Sequence, residues 1–188
     1  MMSYVEVLRR IAPKLEKSDI PYMITGSIAA SYYGLARATQ DLDIVISSSP
    51  EKLRTLIELF PQTEYYAMLE DALDAYRHQS MFNVLDMVSG WKIDFIFQKS
   101  GPFSRTAFER CKPVNFGGVA SSMISVEDLI LSKLEWSKMS ESERQVRDAA
   151  IVMEKRSREL DRDYLSRWVK ELRLEAQWDS ARRLAALE

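Results

Sequence analysis

The sequence predicts an α+β fold in which strands crowd the first two-thirds of the chain and a helical region follows. Three features predict it. Runs rich in Val, Ile and Phe ("IPYMIT", "LDIVIS", "MFNVLDMV" and "WKIDFIF") all fall before residue 100, with the β-branched and aromatic content that suits a pleated, half-buried surface. Ser89-Gly90 and Gly117-Gly118 separate adjacent runs at hairpin spacing. From Ser125 onward the pattern is wholly helical. This divides the chain into a core, residues 1–124, and a C-terminal helical region, residues 125–188, expected to pack on the core.

Taken in order, "VEVLRRIAPKLEK" is a first helix whose regularity Pro13 limits, and "IPYMIT", bounded by Pro21 and Gly26, is a short strand. From Ser27, Ile28, Tyr32 and Leu35 recur at helical spacing until Gly34 weakens the helix, and "LDIVIS" is the second strand. "SPEKLRTLIELF" is a helix with Ser49 as N-cap and Pro50 at its first position. An acidic helical segment at about residues 67–77 precedes the hairpin "MFNVLDMV"/"WKIDFIF". A short helix near "SRTAFER" leads to a second hairpin, "KPVNFGGVASSMI". Four helical segments begin near Ser125, Ser142, Asp161 and Glu175.

Composition narrows the function classes. The 188 residues suit one compact domain, or a core with a small appendage. No apolar stretch approaches the ~18 residues of a membrane span, and the N-terminal stretch, charged from Glu6 onward, is expected to be an amphipathic helix of the mature protein and not a signal peptide. Cys111 is the only cysteine, which excludes an internal disulfide framework and a thiolate-rich zinc site and points to a reducing, cytoplasmic address. Residues 1–124 and 125–188 each carry 13 basic and 14 acidic residues, so neither is a polybasic nucleic-acid arm. An RNA partner would need a local patch.

The chemistry concentrates in carboxylates. Asp41 and Asp43 stand one residue apart at the head of a strand and therefore project to one face. Unpaired acids at a partly buried strand end repel each other and lose hydration unless a cation sits between them. Asp94, enclosed by Ile93, Phe95, Ile96 and Phe97, has the same need. If the two strands are neighbours, Asp41, Asp43 and Asp94 can converge as oxygen ligands for Mg²⁺, with Mn²⁺ as an alternative ion. Two such ions about 3.5–4 Å apart would bridge the attacking and leaving oxygens of a phosphoryl displacement. Asp161 and Asp163 repeat the spacing, but they open the helical pattern "DRDYLSRWVKEL", where an N-cap and a first-turn acid are expected.

Gly26-Ser27 lies where a strand gives way to a helix, a junction whose free backbone N–H groups can hold a phosphate. Ser27 could equally be an N-cap. The order strand, Gly-Ser, helix, then Asp-x-Asp on the next strand is more specific than either part. Gly26-Ser27, Asp41-Leu42-Asp43 and the later Asp94 resemble the signature of the nucleotidyltransferase superfamily that includes DNA polymerase beta. The fuller run "GSIAASYYGLARATQDLDIVI" is similar to its minimal branch containing AbiEii-type toxins of toxin-antitoxin and phage-defence systems. The likeness covers residues 20–100 and extends loosely through "SVEDLILSKLEW" and "RQVRDAAIVM".

The resemblance implies a short mixed sheet flanked by helices, a nucleoside triphosphate substrate, two Mg²⁺ ions, and an acceptor that is RNA (such as tRNA), a protein or a small molecule. A toxin of this kind would have a cognate antitoxin as partner. The resemblance gives Gly26 and Ser27 the triphosphate, Asp41 and Asp43 the metals, and Asp94 the role of third acid, which ligates an ion and helps deprotonate the acceptor. Arg37 and Thr39 match the Arg-x-Thr that often precedes the aspartates; a loop salt bridge and a cap-like hydroxyl explain them equally well.

Lys133 falls on the apolar face formed by Val126, Leu129, Ile130 and Leu134, where a cation either snorkels to the rim or reaches a phosphate; the phosphate reading is favoured. Asp148, also assigned to nucleotide binding, would orient Lys133 or a substrate group, or pair with a nearby Arg. His78, the only histidine, reads as a solvent-facing loop residue with nucleotide contact as the alternative, and Trp168, spaced with Tyr164, Leu165 and Leu172, as core. The expected activity is Mg²⁺-dependent nucleotidyl transfer. The alternative is an inactive nucleotide-binding or protein-interaction module on the same fold.

Overall fold

The computed structural model describes residues 3–186. The described residues form two compact units, one within residues 1–28 and 38–123 and the other within residues 29–37 and 124–188. None of the described helices is long and apolar enough to cross a membrane.

The first unit is built on a seven-stranded mixed sheet. Its strands are β1 (Tyr22–Ile24), β2 (Asp41–Ile46), β3 (Tyr65–Tyr66), β4 (Met81–Asp86), β5 (Lys92–Phe97), β6 (Lys112–Phe116) and β7 (Val119–Met123), in the order β3-β4-β5-β2-β1-β7-β6. β2 runs parallel to β5 and β1 parallel to β7; the remaining pairs are antiparallel. The helices of this unit are α1 (Tyr4–Lys17), the start of α2 (Gly26–Tyr32), α3 (Pro50–Glu58), α4 (Leu69–His78) and α5 (Pro102–Glu109).

Period-2 alternation gives the sheet two chemically different faces. Leu42, Ile44 and Ile46 of β2, Ile93, Phe95 and Phe97 of β5 and Phe82 and Val84 of β4 are buried on one of them. Phe60 and Tyr76 meet Phe95 and Phe97 edge to face there. Each such side chain contributes about 2 kcal/mol of transfer free energy, so the register is pinned: a slip of one residue would turn this set outward. The other face receives Asp41, Asp43, Lys92 and Asp94.

Local signals explain the element ends. α1 opens on a capping box between Ser3 and Glu6 and runs through Pro13 without a break. Its buried stripe of Val7, Leu8, Ile11, Ala12 and Leu15 outweighs the one backbone donor that proline removes. The β4–β5 hairpin turns at Gly90, with φ of 75°. α2 stops at Tyr32, earlier than the spacing of Leu35 suggests, because Gly34 (φ 107°) closes it: its N–H reaches the Ser31 carbonyl and the Leu35 N–H reaches that of Ala30. β3 is absent from the sequence reading; two residues are too few to show a period.

The second unit is helical, with α6 (Val126–Ser140), α7 (Glu143–Arg156), α8 (Arg162–Glu171) and α9 (Glu175–Leu184). α7 packs against both α6 and α9, which accounts for its buried residues lying on more than one side. Asp128 is fully buried in this unit and satisfied: Ser125 Oγ donates to Oδ2 at 2.6 Å and the Tyr164 hydroxyl to Oδ1 at 2.5 Å. Asp161 caps α8, its Oδ1 accepting from the Tyr164 N–H at 2.9 Å, and Asp163 lies in the first turn, as a helix start requires. Trp168 is core, edge to face with Tyr164.

Candidate active site

β2 and β5 pair in a register that sets Asp41 opposite Lys92 and Asp43 opposite Asp94. Side chains opposite each other in register share a face, so three carboxylates and one ammonium form a square on the sheet. Exposure falls sharply across it. Asp41 is exposed, Asp43 half-buried and Asp94 only 5% exposed. Lys92 Nζ lies 2.9 Å from Asp94 Oδ2 and 3.7 Å from Asp41 Oδ1. Asp94 Oδ1 is buried and accepts no hydrogen bond from any described residue.

The electrostatics follow from this placement. Burial, and then the neighbouring charges of Asp94 and Asp41, push the Asp43 carboxyl above its ordinary range, although the Ser27 backbone N–H hydrogen-bonds to it and Lys92 attracts it. The hydrogen bond to Asp94 holds Lys92 above the usual lysine range. Gly26, at the start of α2, has φ of 64°, and a Cβ there would fall 1.9 Å from Asp43 Oδ2. Glycine is therefore required twice over, for the left-handed backbone and for the approach of the carboxylate. At the edge of the square, Thr39 Oγ1 accepts from the Asp41 N–H at 3.1 Å, the cap-like role.

Within the second unit, Lys133 is 5% exposed and so does not snorkel. Its Nζ meets Asp148 Oδ2 at 3.0 Å and Gln145 Oε1 at 3.1 Å, and Arg37 Nη1 meets the same Asp148 oxygen at 3.2 Å. Asp148 thus pairs with both Lys133 and an arginine. His78 closes α4 and is no loop residue; it is exposed, and its Nδ1 lies 3.0 Å from the Asp74 carbonyl oxygen. A histidine at a helix C-terminus suits the dipole.

Lys92 is the member of the square that sequence reasoning missed. Its alternation with Asp94 in "WKIDFIF" was the available signal, since residues two apart on a strand share a face.

Among the described residues no three carboxylate, imidazole or thiol side chains stand close enough together, as placed, to hold a metal ion. Lys92 sits against two of the three acids. The donor set nonetheless suits a hard divalent cation. It is all oxygen, it carries three carboxylates to one ammonium, and its most buried member has an oxygen without a partner among the described residues.

Comparison with known proteins gives the family and the fold. A family model described as "Nucleotidyltransferase of unknown function (DUF6036)" matches residues 1–188. The chain is similar in structure to an antigenic nucleotidyltransferase-like protein from Paracoccidioides brasiliensis, with a TM-score of 0.57 and 16% identity over 95% of this chain and 91% of that one. It is also similar to ANT(2")-Ia in complex with adenylyl-2"-tobramycin, with a TM-score of 0.62 and 11% identity over 93% and 99% of the two chains. At these identities the likeness establishes the nucleotidyltransferase-like fold. No curated protein sequence matches the chain significantly. The chain belongs to the DUF6036 nucleotidyltransferase family.

Proposed function

On the premise of that membership, we propose that the protein transfers a nucleotidyl group from a nucleoside triphosphate to a hydroxyl of an RNA, a protein or a small molecule. The observation that carries this reading is the register of Asp43 against Asp94, beside Gly26-Ser27, with one Asp94 oxygen left without a partner among the described residues. Asp41, Asp43 and Asp94 are the residues that would hold Mg²⁺ or Mn²⁺, two ions in the full complex. The metal would neutralise charge at the transferring phosphoryl and polarise its oxygens. Asp94 accepts the proton of the acceptor hydroxyl. The acceptor oxygen bonds to the α-phosphorus as the bond to the pyrophosphate oxygen breaks, and pyrophosphate leaves. For Gly26 and Ser27 the family resemblance supports contact with the triphosphate, while the Ser27 backbone N–H itself hydrogen-bonds to Asp43. For Arg37, Thr39, Lys133 and Asp148 the family resemblance supports contact with the nucleotide.

Two likenesses bear on the acceptor. The run "GSIAASYYGLARATQDLDIVI" supports an AbiEii-type toxin role in the cytoplasm, with tRNA or protein as acceptor and an antitoxin as partner. The fold of ANT(2")-Ia, a protein bound to an adenylylated aminoglycoside in its structure, supports a small-molecule acceptor. The test is incubation with each α-labelled triphosphate and Mg²⁺, against cell extract, total tRNA and a panel of small polyhydroxyl compounds. Label is expected to move to one acceptor class and to stay on the triphosphate with Asp43→Ala. Triphosphate binding by calorimetry with no transfer to any acceptor would instead favour the inactive binding module.

A further inference from the structure

The square of Asp41, Asp43, Lys92 and Asp94 already contains a cation. Lys92 lies on the same strand as Asp94 and two residues from it, opposite Asp41, so its ammonium projects onto the same face as all three acids. It binds Asp94 Oδ2 at 2.9 Å and approaches Asp41 Oδ1 at 3.7 Å, while Asp43 takes the Ser27 N–H instead. The lysine thus touches two of the three groups assigned to the metal. Its own side chain is 37% exposed, and four methylenes let the ammonium withdraw to water while Asp94, on a paired central strand, stays fixed.

Resting on the reading of the acids as a metal site, we propose that Lys92 is a built-in counter-cation. It offsets part of the charge of Asp94 and Asp41 while no divalent ion is bound, and it leaves Asp94 Oδ2 when an ion takes that oxygen. Metal binding is then an exchange of one cation for another. With the ammonium withdrawn the three carboxylates carry a charge of −3, which one divalent ion reduces to −1, so a second ion needs the added charge of the triphosphate. Lys92 acts as a positioning residue that sets metal affinity.

Calorimetric titration of the nucleotide-free protein with Mn²⁺ tests this. Lys92→Met should bind Mn²⁺ about tenfold more tightly than the native protein, because a competing charge-assisted hydrogen bond at a part-exposed site is gone. Lys92→Arg, which keeps the charge, should stay near the native affinity. Without metal, Lys92→Met should melt about 3 °C lower, and the gap should close when Mn²⁺ is added. If Lys92→Met folds poorly, Lys92→Gln removes the charge and keeps a polar partner for Asp94. A gain in affinity cannot come from a merely structural lysine. Equal or weaker Mn²⁺ binding in both neutral variants, with binding still abolished by Asp94→Asn, would overturn the counter-cation and leave the metal site standing. Mn²⁺ binding that Asp94→Asn does not weaken would overturn the metal-site reading and the counter-cation with it.

Discussion

Asp86 and Asp94 belong to the two strands of one hairpin, and both are almost wholly buried, 1% and 5% exposed. Their surroundings differ completely. Asp86 Oδ2 accepts from Arg10 Nη1 at 2.8 Å and Oδ1 from the N–H groups of Val88 and Ser89 at 3.0 and 3.1 Å. Both of its oxygens are answered, and the acid ties α1 to the hairpin turn. Asp128 in the second unit is answered as fully, by Ser125 and Tyr164. Asp94 has one oxygen on a movable lysine, and the other finds no partner among the described residues. Leaving a buried acceptor unmade costs about 1–3 kcal/mol. A chain that satisfies Asp86 and Asp128 carries that cost at Asp94, beside Asp43, whose carboxyl burial pushes above its ordinary range, and the proposed binding role of Asp94 rests on that contrast.

Mutations can break this contrast, beginning with the largest effect. Asp43→Ala should lower nucleotidyl transfer by about 10³-fold, the scale of losing a group that stabilises charge in the transition state, with no loss of melting temperature; initial rates and a thermal melt check both. Asp86→Ala should do the reverse, costing about 3 kcal/mol of stability in urea unfolding because Arg10 and two N–H groups lose their acceptor, with little change in transfer per folded molecule. Gly26→Ala should cost about 2 kcal/mol, since it meets a left-handed backbone and the Asp43 carboxylate together, and should also depress transfer.

The smallest effect concerns pH. In the folded, metal-free protein Asp43 holds its proton more readily than in the unfolded chain, so its charge costs stability at neutral pH. That cost fades as the pH falls through the raised folded value and is gone below the ordinary 3.8. Asp43→Asn should therefore raise the melting temperature at pH 7, by an amount that shrinks as the pH falls and disappears below that point. Thermal melts of both proteins in chelator across the acid range measure it.

That Asp41 and Asp43 share a face of a strand was legible because it depends on local rules. Two-residue spacing puts Asp41 and Asp43 on one face, and runs such as "FNVLD" and "KIDFIF" are strands by composition. Their adjacency was conditional, since pairing β2 with β5 in parallel is a non-local choice that no periodicity records. The same limit hid Asp86: its arginine lies 76 residues away on α1. Arg37 and Asp148, 111 residues apart, could be offered only as alternatives before the fold joined them. Lys92 was overlooked for another reason. A lysine near a strand end reads as a solvated edge residue; its spacing puts it on the face of Asp94, and the register adds Asp41.

Paired isosteric variants, Asp94→Asn and Asp86→Asn, each assayed for transfer of α-label and for unfolding free energy, test the contrast most directly. Asp94→Asn should lose at least about 10³ in rate while staying as stable as the native protein, and Asp86→Asn should lose stability while each folded molecule keeps its rate. Full transfer activity in Asp94→Asn would show that its buried oxygen is an unfilled cost of folding and not a site.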